Sequence, residues 1–318
     1  MAEIGKDIEK VSQLLRNEDV VAIPTETVYG LAGNAFSEKA ILKIFEVKNR
    51  PLTDPLICHV PDLESMEPLV LGIPDLAKRL FEAFSPGPIT ILLPKSPKIP
   101  DLVTNGSDFV AIRIPNQTLT LKLLHNLDFP LVAPSANPFG ALSPSLPDHV
   151  QNGLGEKIPY ILDGGPCAVG LESTIVRIIN TKQIMVLRQG GISEEELMPF
   201  AEIIRSINPE REVVPGSMLS HYAPGKPLLL KPLAEVLEKM EAAKIGFLAF
   251  NQYSDLIPVK NQILLTKSGD LKEAAQNLFQ SLHLLDSLDI EVIVAAQIPE
   301  KGLGKAISDR LKRAASKR

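Results

Sequence analysis

The stretch from Val20 to Val47 constrains the fold most. Val20-Val21-Ala22-Ile23 is a short, largely β-branched run that reads as a buried strand. It leads into Pro24-Thr25-Glu26-Thr27-Val28-Tyr29-Gly30, a loop of hydroxyls, one carboxylate and a phenol. From Ser37 to Val47 the pattern is helical, with Ala40, Ile41, Ile44 and Phe45 on one face and Ser37 placed as the cap. Strand, polar loop and helix in succession predict an α/β chain, and in open α/β sheets such junctions are where ligands sit. Threonines also close turns and Glu26 is free to face water, so the loop alone does not define a site.

The alternation continues along the chain. Ile4 to Arg16 carries a helical stripe, and the helix ending at Lys48-Asn49-Arg50-Pro51 is halted by proline. Leu56 to Val60 reads as a strand with His59 near its end, Ile73 to Phe84 as a helix, and Ile89 to Leu93 as a strand. Phe109 to Pro115 is apolar apart from Arg113, Thr118 to Leu127 is helical, and Leu131 to Ala133 leads into Pro134-Ser135-Ala136-Asn137. Tyr160 to Leu162 precedes Asp163-Gly164-Gly165, which reads as a structural turn. Glu172 to Val176 and Met185 to Arg188 open strands, and Glu194 to Ile204 predicts a helix closing the first domain.

With 318 residues, two domains are expected. The turn-rich, aperiodic stretch around His221-Tyr222-Ala223-Pro224-Gly225 is the natural divider, giving 1–207, a linker at 208–227 and 228–318. Beyond it, strands at 228–230, 245–250, 262–265 and 291–296 alternate with helices at 233–243, 271–285 and a last one to Ala315, a small parallel α/β domain. A net charge of −5 disfavours wholesale nucleic-acid binding. The two cysteines, Cys58 and Cys167, form no metal or redox pattern and fit a reducing cytoplasm. No secretory leader and no run of 18 apolar residues is present, so no membrane association is expected.

There is no Walker loop, dinucleotide glycine fingerprint, paired-histidine zinc helix or nucleophile elbow. What remains is a set of short polar loops rich in Ser, Thr, Arg, Lys and Gly, the groups that polyphosphates and carboxylates require. In order, the loops 24–30, 48–59, 86–90, 113–115, 134–144, 163–176 and 187–190 resemble the YrdC-like family of threonylcarbamoyl-AMP synthases. His221-Tyr222-Ala223-Pro224 and the ending Gly302-Leu303-Gly304-Lys305-Ala306-Ile307-Ser308-Asp309-Arg310-Leu311 resemble its two-domain members. The resemblance implies a YrdC-like twisted mixed sheet around a large cavity, plus a smaller Rossmann-like α/β C-terminal domain. It also implies the reaction of L-threonine, bicarbonate and ATP to threonylcarbamoyl-adenylate and pyrophosphate, for modification of the adenosine at tRNA position 37. Mg2+ would accompany ATP, with no organic cofactor, and a downstream tRNA threonylcarbamoyl transferase complex would take the product; contact with tRNA itself stays open.

The family pattern assigns Lys48 and Arg50 to the nucleotide phosphates as the catalytic cations, although cations at a helix end also serve its dipole. Ser135, Asn137, Ser143, Arg188 and the linker Tyr222 match ATP-contacting positions, and Thr27, His59, Ala133 and Ser173 match threonine-contacting ones. Arg113 carries its own argument: an arginine inside an apolar strand is costly unless it meets an anion, and the threonine carboxylate fits. Asp54 departs from the usual Asn, placing a carboxylate where phosphates are expected. Gln189 stands where relatives usually have proline, and Ser217-Met218-Leu219-Ser220 lacks their basic and aromatic linker residues. Tyr222 would cover the cavity mouth and keep water from the labile mixed anhydride. No carboxylate cluster offers a dedicated metal cage, which leaves Mg2+ to the phosphate oxygens. Two other readings compete: a non-catalytic double-stranded RNA or tRNA binder, and a relative that handles carbamoyl-adenylate. Salt-dependent tRNA binding without ATP consumption would favour the first, and turnover indifferent to threonine the second.

Overall fold

The computed structural model describes residues 1–205 and 221–316. Most of the expected linker, including Ser217 to Ser220 and the boundary at 207–208, lies outside the described residues. Eleven strands form one mixed sheet: β1 (Glu3–Gly5), β2 (Val21–Ile23), β3 (Gly30–Asn34), β4 (Ile57–His59), β5 (Ile89–Pro94), β6 (Phe109–Arg113), β7 (Leu131–Val132), β8 (Tyr160–Leu162), β9 (Thr174–Ile178), β10 (Gln183–Arg188) and β11 (Glu202–Ile204). Their spatial order is β1-β8-β2-β3-β7-β4-β6-β5-β9-β10-β11. Helices α1 (Ile8–Arg16), α2 (Glu38–Lys48), α3 (Asp75–Phe84), α4 (Asp101–Thr104), α5 (Thr118–His125), α6 (Pro147–Leu154) and α7 (Glu194–Leu197) accompany it. A second sheet, wholly parallel, holds β12 (Leu228–Leu229), β13 (Ile245–Ala249), β14 (Gln262–Leu264) and β15 (Val292–Ala295) in the order β12-β15-β13-β14. It carries α8 (Leu233–Leu237), α9 (Leu271–Ser287) and α10 (Gly304–Ala315).

Local chemistry sets several boundaries. The Ser37 side chain accepts from the Ala40 amide to start α2, as its position predicts, and Asn49 in the left-handed region at φ 52° ends it. Ile4 does not belong to α1: the Asp7 carboxylate caps the helix by accepting from the Lys10 amide, and Ile4 instead pairs with Ile161 in parallel strands. The loop after β2 does not run directly into a helix. The chain returns antiparallel as β3, with Ile23 opposite Gly30, so residues 24–29 join two strands. Glycines hide that strand, and Gly30 and Gly33 are closely approached: added Cβ atoms would sit 3.0 Å from the Ala133 Cβ and 3.1 Å from the Ile44 Cδ1.

The helix expected over Glu194–Ile204 stops at Leu197, since Pro199 cannot continue it, and Glu202–Ile204 joins the sheet parallel to β10. The helix expected over 233–243 ends at Leu237, with a short 3₁₀ turn at Ala242–Lys244. Helices α4 and α6 arise in stretches too short or too polar for the period to declare them.

The domains are welded by a shared apolar core. Val28, Leu142 and Leu171 pack in the same cluster as Tyr222, Leu278, Phe279 and Ile307. Gly170, at φ 71°, lies so near α9 that an added Cβ would meet the Gln276 Cα at 2.5 Å.

Candidate active site

The ends of the central strands converge on one cavity. Parallel register places His59 opposite Arg113, and the Ala133 amide donates to the Ile57 carbonyl at 3.1 Å, bringing β7 alongside. The Thr25 hydroxyl organises the loop after β2: it donates to the Val28 carbonyl at 2.7 Å and lies 2.8 Å from the Thr27 hydroxyl. The Tyr29 phenol is directed elsewhere, donating to the Gly165 carbonyl and accepting from the Gly164 amide, so the Asp-Gly-Gly turn is bolted against this loop.

Arg113 is buried, and its Nη2 lies 2.7 Å from Glu26 Oε1 without the alignment of a hydrogen bond. Its Nε reaches the Gly87 carbonyl only at 3.4 Å. Glu26 therefore does not face water; its other oxygen accepts from the Asn116 amide at 3.0 Å. A buried guanidinium with charge compensation but unspent donors is poised for a carboxylate. Beside it, burial and then the Arg113 charge lower the His59 pKa to about 3, so the ring is neutral. Its Nδ1 sits 3.1 Å from the Ile57 carbonyl, which can only accept; Nδ1 carries the proton and Nε2 keeps a lone pair.

The other side, around Lys48, Arg50 and Arg188, is more heavily charged. Lys48 is fully enclosed at the end of α2, its Nζ donating to the carbonyls of Ser135 and Asn137 at 2.5 Å each. Burial, then the neighbouring Arg50, push its pKa well below the usual lysine range. Arg50 donates to the carbonyls of Asp54 and Pro55 and lies 3.0 Å from Asp54 Oδ2. Neither Asp54 oxygen is in hydrogen-bond geometry, and burial raises its pKa against the pull of Arg50 and Lys48. Arg188 donates to the Ser173 carbonyl at 2.9 and 3.1 Å and to its hydroxyl at 3.0 Å. Ser173 Oγ also lies 2.7 Å from the Thr90 hydroxyl.

Of the residues singled out from sequence, Thr27, Arg50, His59, Arg113, Ala133, Ser135, Ser173, Arg188 and Tyr222 line this cavity together. Lys48, Asp54, Asn137 and Ser143 stand behind the lining. Asn137 donates to the carbonyls of Pro138 and Ala141, and the Ser143 hydroxyl donates to Glu172 Oε1 at 2.6 Å. The free space is about 50 Å³, below the several hundred usual for a small-molecule pocket. Sequence reasoning missed Glu26, Glu172 and Arg310. The signal for Arg310 was its place on the apolar stripe of α10, with Ala306, Ile307, Leu311 and Ala314.

A buried arginine paired with a carboxylate and further buried cations share one cleft, the setting of an enzyme that handles anionic substrates. A family model described as telomere recombination, covering Sua5, YciO and YrdC proteins, matches residues 13–190. A second, described as the threonylcarbamoyl-AMP synthase C-terminal domain, matches 182–316. A threonylcarbamoyl-AMP synthase from Pyrococcus abyssi is 36% identical, over 96% of this chain and 92% of that one. One from Bacillus subtilis is 34% identical, over 98% and 93%. The crystal structure of P. abyssi Sua5 complexed with L-threonine superposes with a TM-score of 0.87 at 34% identity, covering 99% of this chain and 97% of that one. The chain belongs to the threonylcarbamoyl-AMP synthase family.

Proposed function

We propose that the chain condenses L-threonine, bicarbonate and ATP into threonylcarbamoyl-adenylate and pyrophosphate. The observation that carries this is Arg113, a buried guanidinium with unspent donors beside a neutral His59, facing Arg50 and Arg188 across one cleft. Arg113 binds the threonine carboxylate, while the His59 Nε2 lone pair and the Thr27 hydroxyl orient its amine and side chain against Ala133 and Ser173. The deprotonated amine attacks bicarbonate to give the carbamate and water. A carbamate oxygen then attacks the α-phosphorus, and the bond to the β-phosphate oxygen breaks with pyrophosphate leaving. Arg50, Lys48 and Arg188 offset the charge on the phosphates, and no covalent protein intermediate is needed. Ser135, Asn137 and Ser143 shape the loop that receives the nucleotide, and Tyr222 covers it.

Mg2+ enters with ATP as part of the substrate. The described residues do not fit a resident metal: no three of His, Cys, Asp or Glu cluster among them, and Asp54 is taken up by Arg50. Residues 1–207 form the catalytic domain, 208–227 the connection and 228–318 the second domain. The product is a reactive mixed anhydride, so a tRNA threonylcarbamoyl transferase complex consumes it, giving the modified adenosine at tRNA position 37. Two buried, free cysteines and the absence, among the described residues, of any helix long and apolar enough to cross a membrane support work in the cytoplasm.

The test is pyrophosphate release from ATP and bicarbonate with and without L-threonine. Threonine-dependent release is expected. Release indifferent to threonine would overturn the reading in favour of carbamoyl-adenylate chemistry.

A further inference from the structure

We propose that Arg310, contributed by the C-terminal domain, is a positioning residue that sets the nucleotide end of the site, so that the two domains form one catalytic unit. The inference rests on the synthase reading above and extends it to a residue of the second domain.

Arg310 is 1% exposed, among the largest fully buried side chains. Two of its three nitrogens donate across the domain boundary. Nε donates to Glu172 Oε2 at 2.7 Å, and Nη2 to the Gln189 carbonyl at 2.8 Å. Nη1 donates to the neighbouring Asp309 at 2.6 Å, and the guanidinium carbon lies 5.1 Å from the centroid of the Tyr222 ring. Glu172 and Gln189 are the chain neighbours of Ser173 and Arg188, both in the cavity lining. One cation therefore holds the two backbone segments that present those groups. The remaining Glu172 oxygen accepts from Ser143 Oγ at 2.6 Å, which extends the grip to the loop after β7. Burial alone would raise the Glu172 pKa, but Arg310, Arg188 and the Ser143 hydroxyl outweigh it and keep the carboxylate ionised.

Tyr222 packs on the same guanidinium. It sits at φ 63°, a left-handed conformation rare for a bulky residue, with its ring fully buried against Arg310 and 5.7 Å from Phe279. Such backbone persists only where the surroundings over-determine it. A buried ion pair is weak support for stability, since apolar replacements of similar volume often match it. What an apolar pair cannot do is bridge Glu172, the Gln189 carbonyl and an aromatic face at once, and a planar guanidinium can.

The test uses the full chain and threonine-dependent pyrophosphate release, with thermal unfolding measured alongside. Arg310→Lys keeps the charge beside Glu172 but loses the fork and the stacked plane. The double variant Arg310→Met with Glu172→Gln removes both charges. In either variant that folds with a Tm near that of the wild type, the KM for ATP is expected to rise about tenfold or more, and the KM for threonine, which feels Arg310 only through Glu172 and Ser173, by a clearly smaller factor. Arg310→Met alone is expected to lose stability as well, because it leaves Glu172 unpaired. A folded Arg310→Lys or double variant with unchanged KM for ATP overturns the proposal, as does an equal rise for both substrates, the mark of general loosening. A wild-type chain without threonine-dependent release would instead sink the synthase reading and this inference with it; an active wild type with indifferent variants fails this inference alone.

Discussion

Replacing Arg113 by alanine removes the carboxylate clamp and, at the same time, the charge that balances buried Glu26. These two consequences are separable. A bidentate charge-assisted grip on the threonine carboxylate contributes about 3–4 kcal/mol, so kcat/KM for threonine is expected to fall about 10²- to 10³-fold. The stability loss is independent: Glu26 is 5% exposed, and stranding one member of a buried pair costs about 3–5 kcal/mol. The double variant Arg113→Met with Glu26→Gln removes the stranded charge and is expected to recover most of the Tm without recovering threonine use. The assay is pyrophosphate release titrated with threonine at saturating ATP, read against thermal unfolding of the same samples. If the folded double variant kept a threonine KM within about threefold of the wild type, the clamp argument would be wrong, and Arg113 would serve only to neutralise Glu26.

Asp54→Asn removes a carboxylate 3.0 Å from Arg50 and is expected to lower the KM for ATP severalfold, on the order of 1 kcal/mol, because phosphate no longer competes for that guanidinium. An increase in the ATP KM would refute it. His59 and His221, both pushed down to about 3 chiefly by burial, are neutral when folded but take up protons near pH 6.5 when unfolded. The unfolded state thus binds more protons below that pH, and stability is lost as pH falls from about 6.5 towards 3. At pH 5.5 the loss is about 1 kcal/mol for each ring, read as a lower urea midpoint; a midpoint unchanged between pH 7.5 and 5.5 would contradict the burial argument. Gly170→Ala drives a Cβ to within 2.5 Å of the Gln276 backbone at a φ that already disfavours alanine. It is expected to cost about 2 kcal/mol or more of stability, and an unchanged Tm would show that the domain contact yields easily.

Much of the architecture is legible in the amino-acid sequence. Apolar runs with β-branched residues declared β2, β4, β6 and β9, and Ser37 declared the start of α2, because these signals depend only on neighbours in the chain. The strand at Gly30–Asn34 was illegible for the opposite reason: its glycines are closely packed by Ala133 and Ile44, which approach from elsewhere. Pro199 shows a local signal overruled by a longer pattern, since the acidic start and later apolar residues suggested a helix that one missing amide forbids.

The site divides in the same way. Arg113 announced its need for an anion through its apolar surroundings, and the ordered loops carried the family resemblance. Which groups meet was another matter. That Glu26 balances Arg113, that His59 lies opposite it, that Lys48 stands behind the cavity lining, and that Arg310 crosses from the second domain to Glu172 all depend on strand register and domain packing. Sequence by itself determined the inventory of charges and the order of the main apolar strands and amphipathic helices, since both follow from composition and short-range periodicity, but not β1, β3 or β11. Tertiary structure decided the pairing of Arg113, Lys48 and Arg310, because burying a charge is tolerated only where partners arrive within about 3 Å, and theirs include groups far along the chain.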